Sequence, residues 1–418
     1  MPVARLFLIV TLFCSWFVTP ALSAQQKSSN GDGDEALKAL QSWIESTERP
    51  ELDQQPWATV ALNPKQVAAA IEMFWDDRTE QLKEDRAKEW EEKKIQIDDL
   101  EMKFDFKTFG DPGPRGRRLF ISMHGGGGAP ARVNDQQWRN QIRLYEPAEG
   151  LYLAPRAPTN TWNLWHQKHI DEFFERLIQN AVALEGVDPN RVYILGYSAG
   201  GDGVYQLAPR MADRLAAAAM MAGHPNGVSP LSLRNIGFAL HMGANDSAYK
   251  RNEIAGKWKQ RLAELQQADE GGYQHQVMIH EDKGHWMDRE DRVAIPWMSE
   301  FERDPRPKKI VWHQTGVTYG QFYWLAVQGD NRVQGSEVVA SVDGQTITIE
   351  KADKISSLTL RLDDKLVDLN QPVTVQMDGK ELFQGRLTRT IKTLYQTLQE
   401  RGDQQYMFPA ELDVEVGQ

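Results

Sequence analysis

The stretch Arg191–Leu207, RVYILGYSAGGDGVYQL, decides how the rest of the chain is read. Apolar and aromatic residues come first, then Ser198 among Gly196, Ala199, Gly200 and Gly201, then a helical pattern from about Asp202. Gly-x-Ser-x-Gly arises by chance in about one unrelated chain in seven of this length, so the setting has to carry the meaning. A buried strand before the serine and a helix after it are what a nucleophile on a sharp turn needs. Strain there lifts the hydroxyl into a cleft, and side chains two positions away would strike the packed strand and helix. The Ala199 amide would then face the point where negative charge develops on a substrate oxygen.

A second donor for that charge is expected from HGGGG, His124–Gly128, which follows the apolar run Leu119–Met123. Glycine amides can approach a substrate without side-chain obstruction, so Gly125 and Gly126 are the candidate donors. No Gly-Lys-Ser/Thr follows, which sets a phosphate loop aside. An acid and then a histidine should come later in the chain. Asp246 lies just past the strand ending at Met242, in HMGANDSAY; a helix cap is its bland alternative. His285, in IHEDKGHWMD, follows the last strand and a glycine, which is the best position among nine histidines. His241 and His280 sit in or beside strands and read as structural. His224, in AGHPNG, follows a strand end and is placed to line the cleft. Asp202, the rival carboxylate, is better explained by its place at a helix start. Asp282 and Asp288 lie too near His285 in sequence to be favoured as the acid.

Outward from this centre the pattern alternates between strand and helix. Strands are expected at Leu119–Met123, Leu151–Leu153, Val192–Leu195, Ala217–Met221, Phe238–Met242 and His275–Ile279, and helices at Ile170–Leu184 and Arg251–Gln267. Such alternation predicts an α/β domain with a mostly parallel sheet covered on both faces, over 100–303. Residues 24–99 form a helical N-terminal extension: a polar lead-in, a short helix at Glu35–Thr47, and a longer one begun by Asn63-Pro64. The mixed charges of Asp76–Lys94 read as its solvated face. Residues 304–418 are β-rich, with strands at Phe322–Val327, Val338–Val342, Thr346–Ile349, Ser357–Leu362 and Val373–Met377. Asp343-Gly344 and Asp378-Gly379 mark tight hairpins, and a late helix fits Thr390–Arg401.

Composition narrows the function. The 418 residues carry a net charge of −11 with no offsetting basic cluster, which argues against nucleic acid or an anionic membrane as partner. Arg5, the apolar run Leu6–Val18 and the small residues near Ala24 describe a signal peptide over 1–23, hence a secreted or periplasmic protein with no membrane association after its removal. Cys14, the single cysteine, lies inside that run, so disulfides, a cysteine nucleophile and thiolate metal sites are excluded from the remainder. No metal or other cofactor is expected.

At these residues the sequence resembles the α/β-hydrolase superfamily, in particular secreted bacterial esterases of the polyhydroxybutyrate depolymerase, feruloyl esterase and dienelactone-hydrolase-like group. VDPNRVYILGYSAGGDG (Val187–Gly203) is similar to that group's nucleophile region, TWNLW (Thr161–Trp165) to its Trp-rich loop, and HGGGG and KGHW to its oxyanion and histidine segments. The likeness covers about residues 100 to 302. It implies Ser198 as nucleophile, Asp246 as acid, His285 as base, and Trp162 and Trp165 beside the substrate. Dienelactone hydrolases use a cysteine nucleophile, and secreted polyester and feruloyl esterases often carry disulfides; this chain has neither. The expected function is hydrolysis of a small or polymer-derived carboxylic ester through an acyl-enzyme. A serine peptidase on the same fold is the first alternative. A polymer-binding protein acting through its C-terminal β-region is the second, motivated by the cluster Phe322-Tyr323-Trp324.

Overall fold

The computed structural model describes residues 30–417, so the apolar leader at 6–18 and the signal peptide read from it lie outside the described residues. Two helices lead: α1 (Asn30–Glu45) and α2 (Pro64–Glu91). Asn63 caps α2 by accepting from the backbone of Lys65 and Gln66, and Pro64 takes the first helical position, where no N–H is needed. The central region then runs β1 (Lys94–Ile97), β2 (Leu100–Phe109), β3 (Arg117–Met123), α3 (Ala131–Gln141), β4 (Gly150–Arg156), α4 (Lys168–Glu185), β5 (Val187–Tyr197), α5 (Ala199–Arg210), β6 (Ala217–Met221), β7 (Gly237–Gly243), α6 (Arg251–Ala268), β8 (His275–His280) and α7 (Ala294–Met298).

These strands form one eight-stranded sheet in the order β1-β2-β4-β3-β5-β6-β7-β8. The β1–β2 and β2–β4 pairs are antiparallel, and every pairing from β4 through β8 is parallel. The inner parallel strands are largely buried and apolar because both faces are covered, whereas the edge strand β8 is mostly part-exposed. Alternate residues serve opposite faces. Leu119, Ile121 and Met123 meet Phe173 and Leu177 of α4 and Val204 and Leu207 of α5 in one core. Phe120 of the same strand packs with Tyr152, Tyr193, Ile295 and Met298 on the other.

The chain then adds β9 (Lys309–His313), β10 (Gln321–Phe322), β11 (Leu325–Ala326), β12 (Glu337–Asp343), β13 (Thr346–Asp353), β14 (Ser357–Leu362), β15 (Val373–Met377), β16 (Lys380–Gly385), α8 (Ile391–Arg401) and β17 (Ala410–Glu415). They make a four-stranded sheet, β10-β11-β14-β17, and a five-stranded one, β16-β15-β13-β12-β9. Both Asp-Gly pairs lie at hairpins. At the second, Asp378 and Gly379 both take positive φ, 51° and 74°, the geometry of a two-residue turn.

Several elements depart from expectation. The single strand foreseen at Phe322–Val327 is two short strands, broken where Tyr323 turns to a φ of 53°. Phe322, Tyr323 and Trp324 are all buried, the Tyr323 hydroxyl donating to the Ala212 carbonyl (3.1 Å) and the Trp324 indole to that of Pro307 (2.9 Å). An aromatic platform for polymers on these three residues is thereby overturned. The helix expected from about Asp202 begins at Ala199, because Ser198 itself occupies the N-cap position. Helix α3 escapes the sequence reading because its buried positions include the polar Asn134 and Gln141, which hides the usual apolar stripe.

The N-terminal helices and the C-terminal helix share a core: Leu40, Phe74, Ile391, Leu394 and Leu398 pack together. Buried ion pairs join the β-rich region to the central one, Asp403 meeting Arg303 at 2.8 Å and Arg214 at 3.1 Å, and Arg401 meeting Asp213 at 2.6 Å.

Candidate active site

Ser198 stands at the carboxyl end of β5 with φ 59° and ψ −121°, a left-handed backbone that a non-glycine residue adopts only at a cost of order 1–3 kcal/mol. The surroundings hold it there. Its N–H donates to the Met221 carbonyl (2.9 Å), and its carbonyl accepts from the Asp202 N–H (2.9 Å). A Cβ at Gly196 would run into the Gly200 carbonyl, and one at Gly200 into that of Met123. The small residues of the motif therefore answer to strand–helix contact.

The loops after β7 and β8 bring two more side chains to this point. Asp246 follows β7 and His285 follows β8. Backbone bonds tie the loops together: Ala244 N–H to the His280 carbonyl (2.9 Å) and Asn245 N–H to that of Lys283 (2.8 Å). Gly243 and Gly284 cross so closely that a Cβ at Gly243 would meet the Gly284 carbonyl. The result is a chain of contacts: His285 Nε2 lies 2.9 Å from Ser198 Oγ, and His285 Nδ1 lies 2.7 Å from Asp246 Oδ2. Asp246 is buried, its side chain 2 % exposed, whereas that of His285 is 45 % exposed. A buried carboxylate oriented on an imidazole whose other nitrogen reaches a hydroxyl is the arrangement that makes serine nucleophilic.

Tyr197, the residue before Ser198, fixes the histidine loop. Its hydroxyl donates to the His285 carbonyl (2.7 Å) and accepts from the Met287 N–H (2.9 Å). Burial pushes its titration well above the ordinary phenol range, so the donor stays protonated. Nothing in the sequence pattern singled it out.

The glycine loop after β3 lies against the serine. An added Cβ at Gly125 would sit 3.2 Å from Ser198 Cβ. Gly126 and Gly127 take φ of 116° and 108°, open to glycine only. Buried Asn134 of α3 spans the loop: it accepts from the Gly127 N–H (3.0 Å) and donates to the carbonyls of Gly127 (3.1 Å) and Ala129 (3.2 Å). The Gly127 amide is thus occupied by Asn134. His124 is fully buried and braces the loop. Its Nε2 accepts from the Ala157 N–H (3.2 Å), so Nδ1 carries the proton and donates to the Gly125 carbonyl (2.6 Å). Burial lowers its pKa to about 4, which keeps the ring neutral at ordinary pH.

The residues expected beside the substrate are placed differently. Trp165 is wholly buried and donates its indole N–H to the His124 carbonyl (2.9 Å), so it supports the glycine loop from beneath and has no face on the cleft. Trp162 is 65 % exposed and lies over Gly127 and Gly128 at the loop's outer edge. His224 is bound into its own turn, its N–H donating to Asp202 Oδ1 (2.6 Å) and its ring meeting Asn226. Asp202 is thereby engaged with that turn. The cleft that holds Ser198 and His285, about 580 Å³, is lined instead by residues of α3, the segment after it, and the loop His285–Arg289, among them Gln137, Asn140, Arg143, Leu144 and Trp286. Helix α3 was invisible in the apolar pattern, and its lining residues with it.

The sheet order, with a serine on a strained turn after β5, an acid after β7 and a histidine after β8, defines an α/β-hydrolase fold. Among solved structures the chain is similar to a thermostable esterase (20% identity, TM-score 0.39), covering 50% of this chain and 62% of that one, less than two thirds of its length. It is also similar to Est1E from Butyrivibrio proteoclasticus (14% identity, TM-score 0.33, covering 50% of this chain and 95% of that one). A third is a mutant of the feruloyl esterase module from Clostridium thermocellum complexed with sinapinate (14% identity, TM-score 0.38, covering 50% and 86%). No family model matches the sequence. No curated protein matches it.

Proposed function

We propose that the chain is a serine hydrolase that cleaves a carboxylic ester. The observation that carries this reading is the pair of contacts at His285: 2.9 Å to the Ser198 hydroxyl and 2.7 Å to the buried Asp246 carboxylate. In the first half-reaction His285 Nε2 takes the hydroxyl proton while Ser198 Oγ bonds to the ester carbonyl carbon. Charge on the carbonyl oxygen is met by the Ala199 amide and an amide of Gly125 or Gly126, donors that need no reorganisation. Asp246 keeps the imidazole oriented and stabilises its charged form. The imidazolium then passes its proton to the leaving alkoxide as the ester C–O bond breaks, which leaves an acyl group on Ser198. Water, deprotonated by the same imidazole, attacks that acyl group; the carboxylic acid departs and Ser198 regains its proton.

Hydrolysis of p-nitrophenyl acetate by the wild type and by Ser198→Ala tests the reading. Turnover is expected in the first and a loss of at least about 10⁴-fold in the second, with the fold retained by circular dichroism. Equal rates in the two proteins would remove Ser198 from the chemistry. A peptidase on the same site would also cleave an aminoacyl p-nitroanilide, which a carboxylesterase leaves intact, so a parallel assay with that amide separates the two.

A further inference from the structure

The cleft beside Ser198 runs against the charge of the chain. The protein carries a net charge of −11, yet of the side chains that line this cleft with Ser198 and His285, the fixed charges are Arg143 and Arg289, and no carboxylate is present among them. The rest of that wall is neutral: Gln137 and Asn140 offer amides, and Trp286 offers a ring 49 % exposed and packed against Tyr197 at 5.5 Å.

Among the described residues both arginines lack an ion-pair partner, and Arg289 has only a charge interaction with the buried Asp291. Nor does either guanidinium make a hydrogen bond among those residues, although acidic residues abound nearby. Glu146 and Glu300 line only the neighbouring hollow, and four other acids are held by other groups. Asp288 and Glu290, which flank Arg289 in sequence, are both held by Lys283, at 2.9 and 3.0 Å. Glu149 is held by Arg118 at 2.6 Å, and Asp291 accepts from the Tyr145 hydroxyl. Asp288 and Arg289 moreover adopt consecutive left-handed conformations, φ 53° and 65°, where glycine or asparagine would sit with less strain. The turn that aims Arg289 at the cleft is thus held by its neighbours and leaves the cation without an ion pair. A second hollow of about 780 Å³ shares Arg143, Leu144 and Arg289 with this cleft, so the two arginines stand at the junction of the two; its other walls include Glu146, Glu149 and Glu300.

Resting on the ester-hydrolase reading above, we infer that the preferred substrate is an ester bearing a carboxylate, held at this junction by Arg143 and Arg289 while the ester bond lies at Ser198. A guanidinium meets a carboxylate with paired donors, and two of them facing one anion add charge attraction to that geometry. The Trp286 ring would cover the apolar part between the two groups.

Matched esters test the inference on the whole protein. The mono-p-nitrophenyl ester of glutaric acid is compared with p-nitrophenyl butyrate, and 3-carboxyphenyl acetate with phenyl acetate, each rate normalised to hydroxide-catalysed hydrolysis of the same ester. In at least one pair the wild type should favour the anionic member by tenfold or more in kcat/KM, and the preference should shrink as salt rises to about 0.5 M. In the double variant Arg143→Gln/Arg289→Gln that ratio should fall to near one, and with lysine at both positions most of it should return. A ratio within one preparation does not depend on the fraction of folded enzyme. A ratio near one in the wild type for both pairs, or one that survives the glutamine pair, overturns the inference and leaves the ester-hydrolase reading standing, as does fluorophosphonate labelling of Ser198 without turnover of either pair. Absence of both labelling and ester turnover overturns the two together.

Discussion

Tyr197 carries more of the site than its neighbours in the motif suggest. One hydroxyl receives the Met287 N–H and donates to the His285 carbonyl, so the imidazole is placed by the residue that precedes the nucleophile. Tyr197→Phe keeps the ring and leaves both partners short of a bond, a loss of about 1–3 kcal/mol. The expected outcome is a lower melting temperature and a kcat reduced about tenfold with little change in KM, measured on p-nitrophenyl acetate. An unchanged kcat would mean that the loop holds His285 without it. Ser198, Asp246 and His285 were legible in the sequence because each follows a recognisable apolar strand and the residue types are few. Trp165 was misread for an equally physical reason. An aromatic beside a glycine loop can face a cleft or lie beneath the loop, and only its indole bond to the His124 carbonyl distinguishes the two.

At the scale of elements, the glycine loop and α3 act as one piece. Asn134 supplies an acceptor to one amide of the loop and donors to two of its carbonyls, and its amide also reaches Asn160 Oδ1 at 2.9 Å. Asn134→Ala frees the loop to relax, and a displaced oxyanion donor costs about 10²–10³ in turnover. We expect a fall of that order in kcat for p-nitrophenyl acetate, with fluorophosphonate labelling slowed in parallel; a variant within threefold of wild type would detach the loop from the chemistry. The parallel strands of this region were readable as continuous apolar runs. Helix α3 was not, since its inner face satisfies polar groups: Gln141 donates to Ser122 Oγ at 2.7 Å, and the Trp138 indole donates to the Ala154 carbonyl at 2.9 Å. A binary pattern cannot register a face whose burial depends on such pairing. The break at Tyr323 was hidden for the converse reason, because a run of aromatics reads as a strand whether or not the backbone turns inside it.

Across the whole molecule, buried charge joins the regions that sequence reading kept apart. Asp403 lies against Arg303 and Arg214, and Tyr406 packs under the guanidinium groups of Arg303 and Arg401, 5.0 and 4.6 Å from its ring centre. Burial alone would raise the Asp403 carboxyl, but the two arginines outweigh it and hold the pKa at about 2. Its stabilising contribution is therefore complete above the unfolded value near 4 and is lost as pH falls towards 2. Asp403→Asn strands two buried cations and should destabilise the protein by about 3–5 kcal/mol in denaturant unfolding at pH 7; a change below about 1 kcal/mol would contradict that role. Two histidines act in the same sense, at higher pH. His124 and His241 are buried neutral, with pKa lowered by burial to about 4 and about 3. Once unfolded they bind protons near pH 6.5, so stability should already decline between pH 7 and pH 5, by about 2 kcal/mol for each ring. Unfolding midpoints that stay level over that interval would mean both rings are charged in the folded state.

The central claim is that Ser198 is the nucleophile, and a covalent label tests it most directly. Fluorophosphonate treatment, tryptic digestion and mass spectrometry should place the adduct on Ser198 within the peptide 192–210. The adduct should vanish in Ser198→Ala and form far more slowly in His285→Ala. A label on another serine, or none on a folded protein, would contradict the account.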